Sequence, residues 1–352
     1  MKKLTTLILL LILAFSSSMA QVNIDSQIQG KLDSLFKLNK VPGILVASSV
    51  KGKHQIYTAG VADKKNNTLF TSETQFEMGS ISKTFTAFIL ESVLQKNKIP
   101  DTSYITAFLP DSLKKNNEIS SIQLLHLLNH TSGLPRLPEN IGIPEDRLQP
   151  YAHYNKENLY HYLSKTEPKT FGKFAYSNLG MGLAGVIAEN ISGKNYEQLL
   201  NEYINKPFQL KHTGIQAAKR MPKAVGYFND ETANYWDMSV LVGAGGIKSD
   251  ANDLLHYLEY MAANQSMLVV GSVLQKTTKI NNQVAIAKAW NTIEKEGKTF
   301  LFWHNGGTYG FSTFAAFNPT NQNCIVVVIN AFNKNDIADR IGIEIMTKFL
   351  ND

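Results

Sequence analysis

The chain has 352 residues, 43% of them hydrophobic, and a formal net charge of +6. That is enough apolar material for a large packed core, so a disordered chain is excluded. The positive excess is spread out with no block of five like charges, which argues for a solvated basic surface and against nucleic-acid binding. The single cysteine, Cys324, excludes an internal disulfide and leaves no lipid-acceptor thiol behind the N-terminus.

Residues 1–20 carry Lys2 and Lys3, an apolar run from Leu7 to Phe15, and then Ser18-Met19-Ala20. Basic residues, a short apolar stretch and small residues in that order predict a cleaved secretory signal, and hence a periplasmic or secreted protein. The apolar run is about half the roughly 20 residues a spanning helix needs, so no stable membrane anchor is expected. Ile28, Leu32, Leu35 and Phe36 then recur at helical spacing. Ile44 to Val50 and Gln55 to Ala59 flank Lys51-Gly52-Lys53 and read as a β-hairpin. From Gly79 a helix is expected with Phe85, Phe88, Ile89 and Val93 on one side.

The middle, from about Ile122 to Leu258, is mostly helical in pattern and is interrupted by a proline-bearing loop at 134–154, of the kind that covers the rim of a site. Phe311 to Phe317 and Cys324 to Ile329 bracket Asn318-Pro319-Thr320-Asn321 as a second hairpin. Ile337, Ile341, Ile345 and Phe349 form a last helical stripe. Strands at both ends with helices between predict an α/β fold of the α+β type. Its antiparallel sheet comes from about 21–95 and 290–352, flanked by helices, with an inserted helical lobe at about 96–289 and a cleft between the two. Residues 21–352 form one domain in this reading.

Ser80-Ile81-Ser82-Lys83 puts a hydroxyl and an amine three residues apart at a helix start, so both leave the same face. A serine becomes nucleophilic only when a neighbouring base takes its proton, and a desolvated lysine can be that base. Alone, the pattern equally describes an N-capping serine followed by a surface lysine. Two further groups follow in order: Tyr176-Ser177-Asn178, and His304-Asn305-Gly306-Gly307 before an expected strand.

In that order, Ser-x-x-Lys, Tyr-x-Asn and Lys/His-x-Gly resemble the active-site pattern of the class C β-lactamase family, which also holds D,D-peptidases, penicillin-binding proteins and esterases. Leu127 to Pro135, Gly243-Ala244-Gly245-Gly246-Ile247 and the run Gly306 to Thr313 look like the same family, and the similarity spans roughly 30 to 350.

The resemblance implies the β-lactamase/transpeptidase-like fold and an exported serine acyl-hydrolase. In it Ser80 attacks a carbonyl, Tyr176 is kept acidic by Lys83 and accepts the proton, and Asn178 bonds the substrate amide and Lys83. The N–H groups of Ser80 and Gly307 form the oxyanion hole. His304, Asn305, Gly306 and Gly307 are expected along the bound substrate, the two glycines leaving room for it beside the strand. Substrates implied are a β-lactam, a D-amino-acid peptide or an ester, with no cofactor or metal. A non-catalytic binder of cell-wall fragments is the rival, and it would not need the full Ser80, Lys83, Tyr176 set. Oligomeric state is not readable.

One departure bears on substrate. β-Lactamases of this kind carry lysine where His304 stands, and an ordinary histidine is mostly neutral at pH 7, so attraction for a substrate carboxylate should be weaker. Glu197-Gln198-Leu199-Leu200-Asn201 matches the deacylating motif of class A enzymes but reads as an amphipathic helix. His126 and His130 are four apart, yet no third ligand accompanies them, so helix-end histidines are expected. Cys324, in an apolar run, is expected to be buried and inert.

Overall fold

Every second residue of Gly43–Val50 faces the same way, and both sets are apolar up to Ser48 and Ser49, so this strand has to be covered on both sides. The computed structural model, which describes residues 24–229 and 231–350, shows this arrangement. The expected signal at 1–20 lies outside the described residues. Strands β1 (Gly43–Val50), β2 (Lys53–Gly60), β3 (Thr278–Lys279), β4 (Ala285–Ile286), β5 (Asn291–Lys295), β6 (Lys298–Gly307), β7 (Ser312–Phe317) and β8 (Cys324–Ile329) form, among the described residues, one sheet in the order β2-β1-β8-β7-β6-β5-β4-β3. Neighbouring strands are antiparallel throughout. The sheet begins to draw on the C-terminal half at Thr278, earlier than the expected 290.

Ile44 and Val46 of β1 and Ile325, Val327 and Ile329 of β8 point to one face. There they meet Ile28 and Leu32 of helix α1 (residues 24–39) together with Ile337, Ile341 and Ile345 of a C-terminal helix. Leu45, Ala47, Cys324, Val326 and Val328 point to the other face, into the larger core. The pairing Ile44↔Ile329 and Leu45↔Val328 keeps the two sets in register. At roughly 1.5–3 kcal/mol per buried aliphatic side chain, a one-residue slip is strongly disfavoured.

Helix α2 (Ser82–Lys96) runs through the larger core. It does not bury only one side: every residue from Ser82 to Leu94 is buried. Two of its hydroxyls bond back to the preceding turn, Thr84 Oγ1 donating to Ile81 O at 2.9 Å and Ser92 Oγ to Phe88 O at 2.7 Å. Packed around it are α3 (Asn178–Ser192), α4 (Ala251–Ala263), which also lies on β1 and β8, and the short glycine-rich helix Val242–Gly245. The last helix, α5 (Asn335–Lys348), covers the opposite face of the sheet. No helix among the described residues is long and apolar enough to cross a membrane.

Candidate active site

The start of α2 is a single tight turn, Gly79–Ile81, fitted against the end of β6. Gly79 has φ +55°, a left-handed conformation, and a Cβ there would lie 2.6 Å from Gly307 N. A Cβ on Gly306 would meet Met78 O at 2.0 Å. The Gly306–Gly307 pair therefore lets the serine-bearing turn touch the strand. Met78 fills the side of Gly306 on which a Cβ would stand.

Beyond Trp303 strand β6 loses β5 as a partner, while it stays paired with β7 to Gly307↔Ser312. Residues 304–307 thus offer one unpaired strand edge beside Ser80.

Ser80 makes no cap bond to either helix segment, and Lys83 is fully buried, so neither half of the capping-serine, surface-lysine alternative holds. Lys83 Nζ lies 2.9 Å from Ser80 Oγ, donates to Ala244 O, and sits 4.9 Å from the centre of the Tyr176 ring. The Ala244 carbonyl is held there because Thr86 Oγ1 donates to Gly243 O at 2.7 Å and Ile247 N to Ser82 Oγ at 3.1 Å. Among the described residues no carboxylate pairs with Lys83. Burial first, and the Arg136 charge second, hold its amine well below the ordinary 10.5.

Tyr176 behaves in the opposite sense to the sequence expectation. Burial pushes its hydroxyl up to about 12, although its interaction with Ser80 and the charge of Arg136 both pull it down. Lys83 is not among the groups that lower it; of the two neighbours, the lysine is the one whose pKa burial depresses. Its ring also neighbours His130, centroid to centroid 4.5 Å, and Arg136, whose guanidinium is 5.2 Å from the ring centre.

Asn178 lines the pocket, but its Oδ1 is buried without a hydrogen-bond partner, so the expected bond to Lys83 is not formed. Ser177 caps α3, accepting from Gly180 N at 2.8 Å, and Asn178 N donates to Arg136 O at 3.0 Å. Buried His304 lies 6.3 Å from the Tyr176 ring. Burial and nearby Lys83 drive its pKa down to about 3, and its Nδ1–H donates to Asn305 O at 2.5 Å. It is a neutral ring below pH 7. The Asn305 side chain is not brought to the pocket, because its Nδ2 donates to Asp339 Oδ2 on α5 at 2.7 Å.

Two residues that the sequence reading did not assign to the site belong to it. His130 Nδ1 accepts from Ser177 N at 3.2 Å, which leaves the proton on Nε2, and burial first, with the Lys83 charge second, holds its pKa well below 6.5. Its left-handed φ of 61° turns it away from the short helix Leu124–Leu128 and onto Tyr176. Arg136 comes from the loop at 134–154 and supplies the cation that lines the pocket.

The cavity has a volume of about 230 Å³ and is bounded by Ser80, Arg136, Asn178 and Gly307 with Tyr151, Trp236 and Tyr309. Its rim is braced by buried Glu77, which accepts from Trp236 N and from Thr308 Oγ1. Glu197, on the short helix Tyr196–Leu200, does not line this cavity.

A pocket hydroxyl beside a buried amine with no counter-ion, at the end of an antiparallel sheet, defines the class: a serine hydrolase of the β-lactamase fold. The Beta-lactamase family model matches residues 29–345, and the chain belongs to that family.

It is 30% identical over 257 residues to a β-lactamase of Providencia stuartii, an alignment covering 71% of this chain and 64% of that relative. It is 29% identical over 293 residues to a β-lactamase of Escherichia coli (82% and 73%). Among solved structures it superposes on a class C β-lactamase from Rhodobacter sphaeroides with a TM-score of 0.80 at 21% identity, covering 92% of this chain and 99% of that one. A β-lactamase/D-alanine carboxypeptidase from Pseudomonas syringae gives 0.80 at 22%, covering 93% and 99%.

Proposed function

We propose that the chain is an exported acyl-hydrolase that opens a β-lactam, a D-amino-acid peptide or an ester through a covalent intermediate on Ser80. The observation that carries this is the amine of Lys83, buried, without a carboxylate, 2.9 Å from the hydroxyl that opens into the pocket.

In this reading Lys83, neutral in the resting site, takes the Oγ proton as Ser80 attacks the substrate carbonyl. The oxyanion forms between the N–H groups of Ser80 and Gly307. Tyr176, still carrying its proton, hands it to the leaving amine or alkoxide and is recharged from the Lys83 ammonium. Water then attacks the acyl carbonyl, its proton passing to Lys83, and the pair returns a proton to Ser80 Oγ as the Oγ–carbon bond breaks and the acid leaves. The free edge at 304–307 would hold a peptide-like substrate as an added strand, with Asn178 Oδ1, otherwise unsatisfied, accepting from its amide.

His304 is neutral and buried, so the cation available to a substrate carboxylate is Arg136. The names of the relatives, β-lactamase and β-lactamase/D-alanine carboxypeptidase, fit these substrates. The 1–20 leader supports export.

The test is steady-state hydrolysis of a penicillin, a D-alanyl-D-alanine peptide and an aryl ester by the parent and by Ser80→Ala. At least one substrate should be turned over, with a loss of roughly 10³-fold or more in the variant. Equal rates in the two proteins would refute the proposal.

A further inference from the structure

Away from this cavity, strands β2, β1 and β8 set three residues side by side: His54 pairs with Ser49, and Ser49 pairs with Cys324. Directly paired residues share a face, and here that face is covered by α4. From α4 come His256 and Glu259, one helical turn apart, and Glu259 Oε1 accepts from Ser49 Oγ and lies 2.8 Å from His54 Nε2. The His54 and His256 rings lie 5.3 Å apart. One ligand atom from each of His54, His256 and Glu259 lies within 4.8 Å of the other two.

We infer that His54, His256 and Glu259 form a binding site for a divalent transition-metal ion, Zn²⁺ by the nature of its ligands, separate from the Ser80 chemistry. Around tetrahedral Zn²⁺, bonds of about 2.0–2.1 Å put ligand atoms roughly 3.3–3.5 Å apart, a spacing that small rotations about the side-chain bonds here can reach. Two imidazoles and one carboxylate suit Zn²⁺ and disfavour Ca²⁺ and Mg²⁺, which take oxygen ligands.

Ser49 holds the Glu259 carboxylate through the same Oε1 that faces His54, as outer hydrogen bonds orient ligands at metal sites. His256 is exposed, which leaves an entry path and a fourth position for water. The ion would join the outer hairpin of the sheet to α4, linking segments about 200 residues apart in sequence.

The test is calorimetric titration of the full-length protein, stripped with a chelator, with Zn²⁺, and with Co²⁺ followed by its visible absorption. One equivalent should bind in the micromolar range, raise Tm and give the intense bands of a four-coordinate Co²⁺ ion. His256→Gln, which changes an exposed side chain, should abolish all three effects while leaving the metal-free Tm and the hydrolysis rate unchanged. His54→Gln checks the strand side. Absence of saturable binding, or binding that survives His256→Gln, overturns the inference. Neither result bears on Ser80.

Discussion

Lys83 Nζ stands 2.9 Å from Ser80 Oγ in a place where no water-facing surface and no carboxylate stabilises its charge. Its amine pKa is depressed in the fold and 10.5 when unfolded, so between those values the unfolded chain binds more protons and stability falls as pH falls. Lys83→Met should abolish turnover yet be more stable than the parent at pH 7, by on the order of 1 kcal/mol, with the gap closing as pH rises toward 10.5. Thermal unfolding of both proteins across that range checks it. A parent more stable than the variant throughout would show that the lysine is held as a favourable cation. In the rate profile, the acid limb should belong to Lys83. His304, at about 3, should add no limb near neutrality, so His304→Gln should leave the limb in place.

Arg136 is the cation of the pocket and lies over Tyr176. A charge-assisted hydrogen bond to a substrate carboxylate contributes about 1.5–3 kcal/mol, so Arg136→Gln should lower kcat/KM roughly 10–100-fold for carboxylate-bearing substrates. A neutral ester should be affected far less. Equal losses on both would mean that Arg136 acts on Tyr176 instead.

Gly306→Ala places a methyl 2.0 Å from Met78 O, a backbone atom that cannot move without carrying Gly79 and Ser80 with it. A cost of at least about 2 kcal/mol in denaturant unfolding is expected, together with loss of activity. Normal stability would show that the turn and the strand are less tightly joined than the structure has them.

Burial raises the Asp339 carboxyl from 3.8 to about 6, although Asn305 donates to it. The fold therefore favours its protonated form, and that stabilisation is present below 3.8 and lost as pH rises through about 6. Asp339→Asn keeps an acceptor for Asn305 and should gain on the order of 1 kcal/mol at pH 7 but nothing near pH 3, read by chemical denaturation at both.

Ser80 and Lys83 could be found in the sequence because three residues on a helix fix their neighbourhood whatever the rest of the fold does. Both hairpins were legible too, since β1, β2, β7 and β8 are continuous apolar or alternating runs. The environment of α2 was not: Thr84, Thr86 and Ser92 look like an exposed face but are buried, Thr84 and Ser92 bonding back to the preceding turn and Thr86 bonding Gly243 O. Nor were His130 and Arg136, which reach Tyr176 through a left-handed residue and an irregular loop that leave no periodic signal. The directions in which the pKa values of Lys83 and Tyr176 move were not legible either, because burial is their largest cause and burial depth is a tertiary property. Asn305 was misplaced for a simpler reason: adjacent strand residues face opposite ways, so His304 and Asn305 cannot both enter one pocket.

The most direct measurement is intact-mass spectrometry of the protein mixed with a penicillin and quenched over time, with Ser80→Ala alongside and the adduct located by peptide mapping. A mass increase of one penicillin on the peptide bearing Ser80, transient or lasting and absent from the variant, is expected. An adduct that persists in Ser80→Ala, or penicillin turnover with equal rates in both proteins, would contradict a covalent role for Ser80.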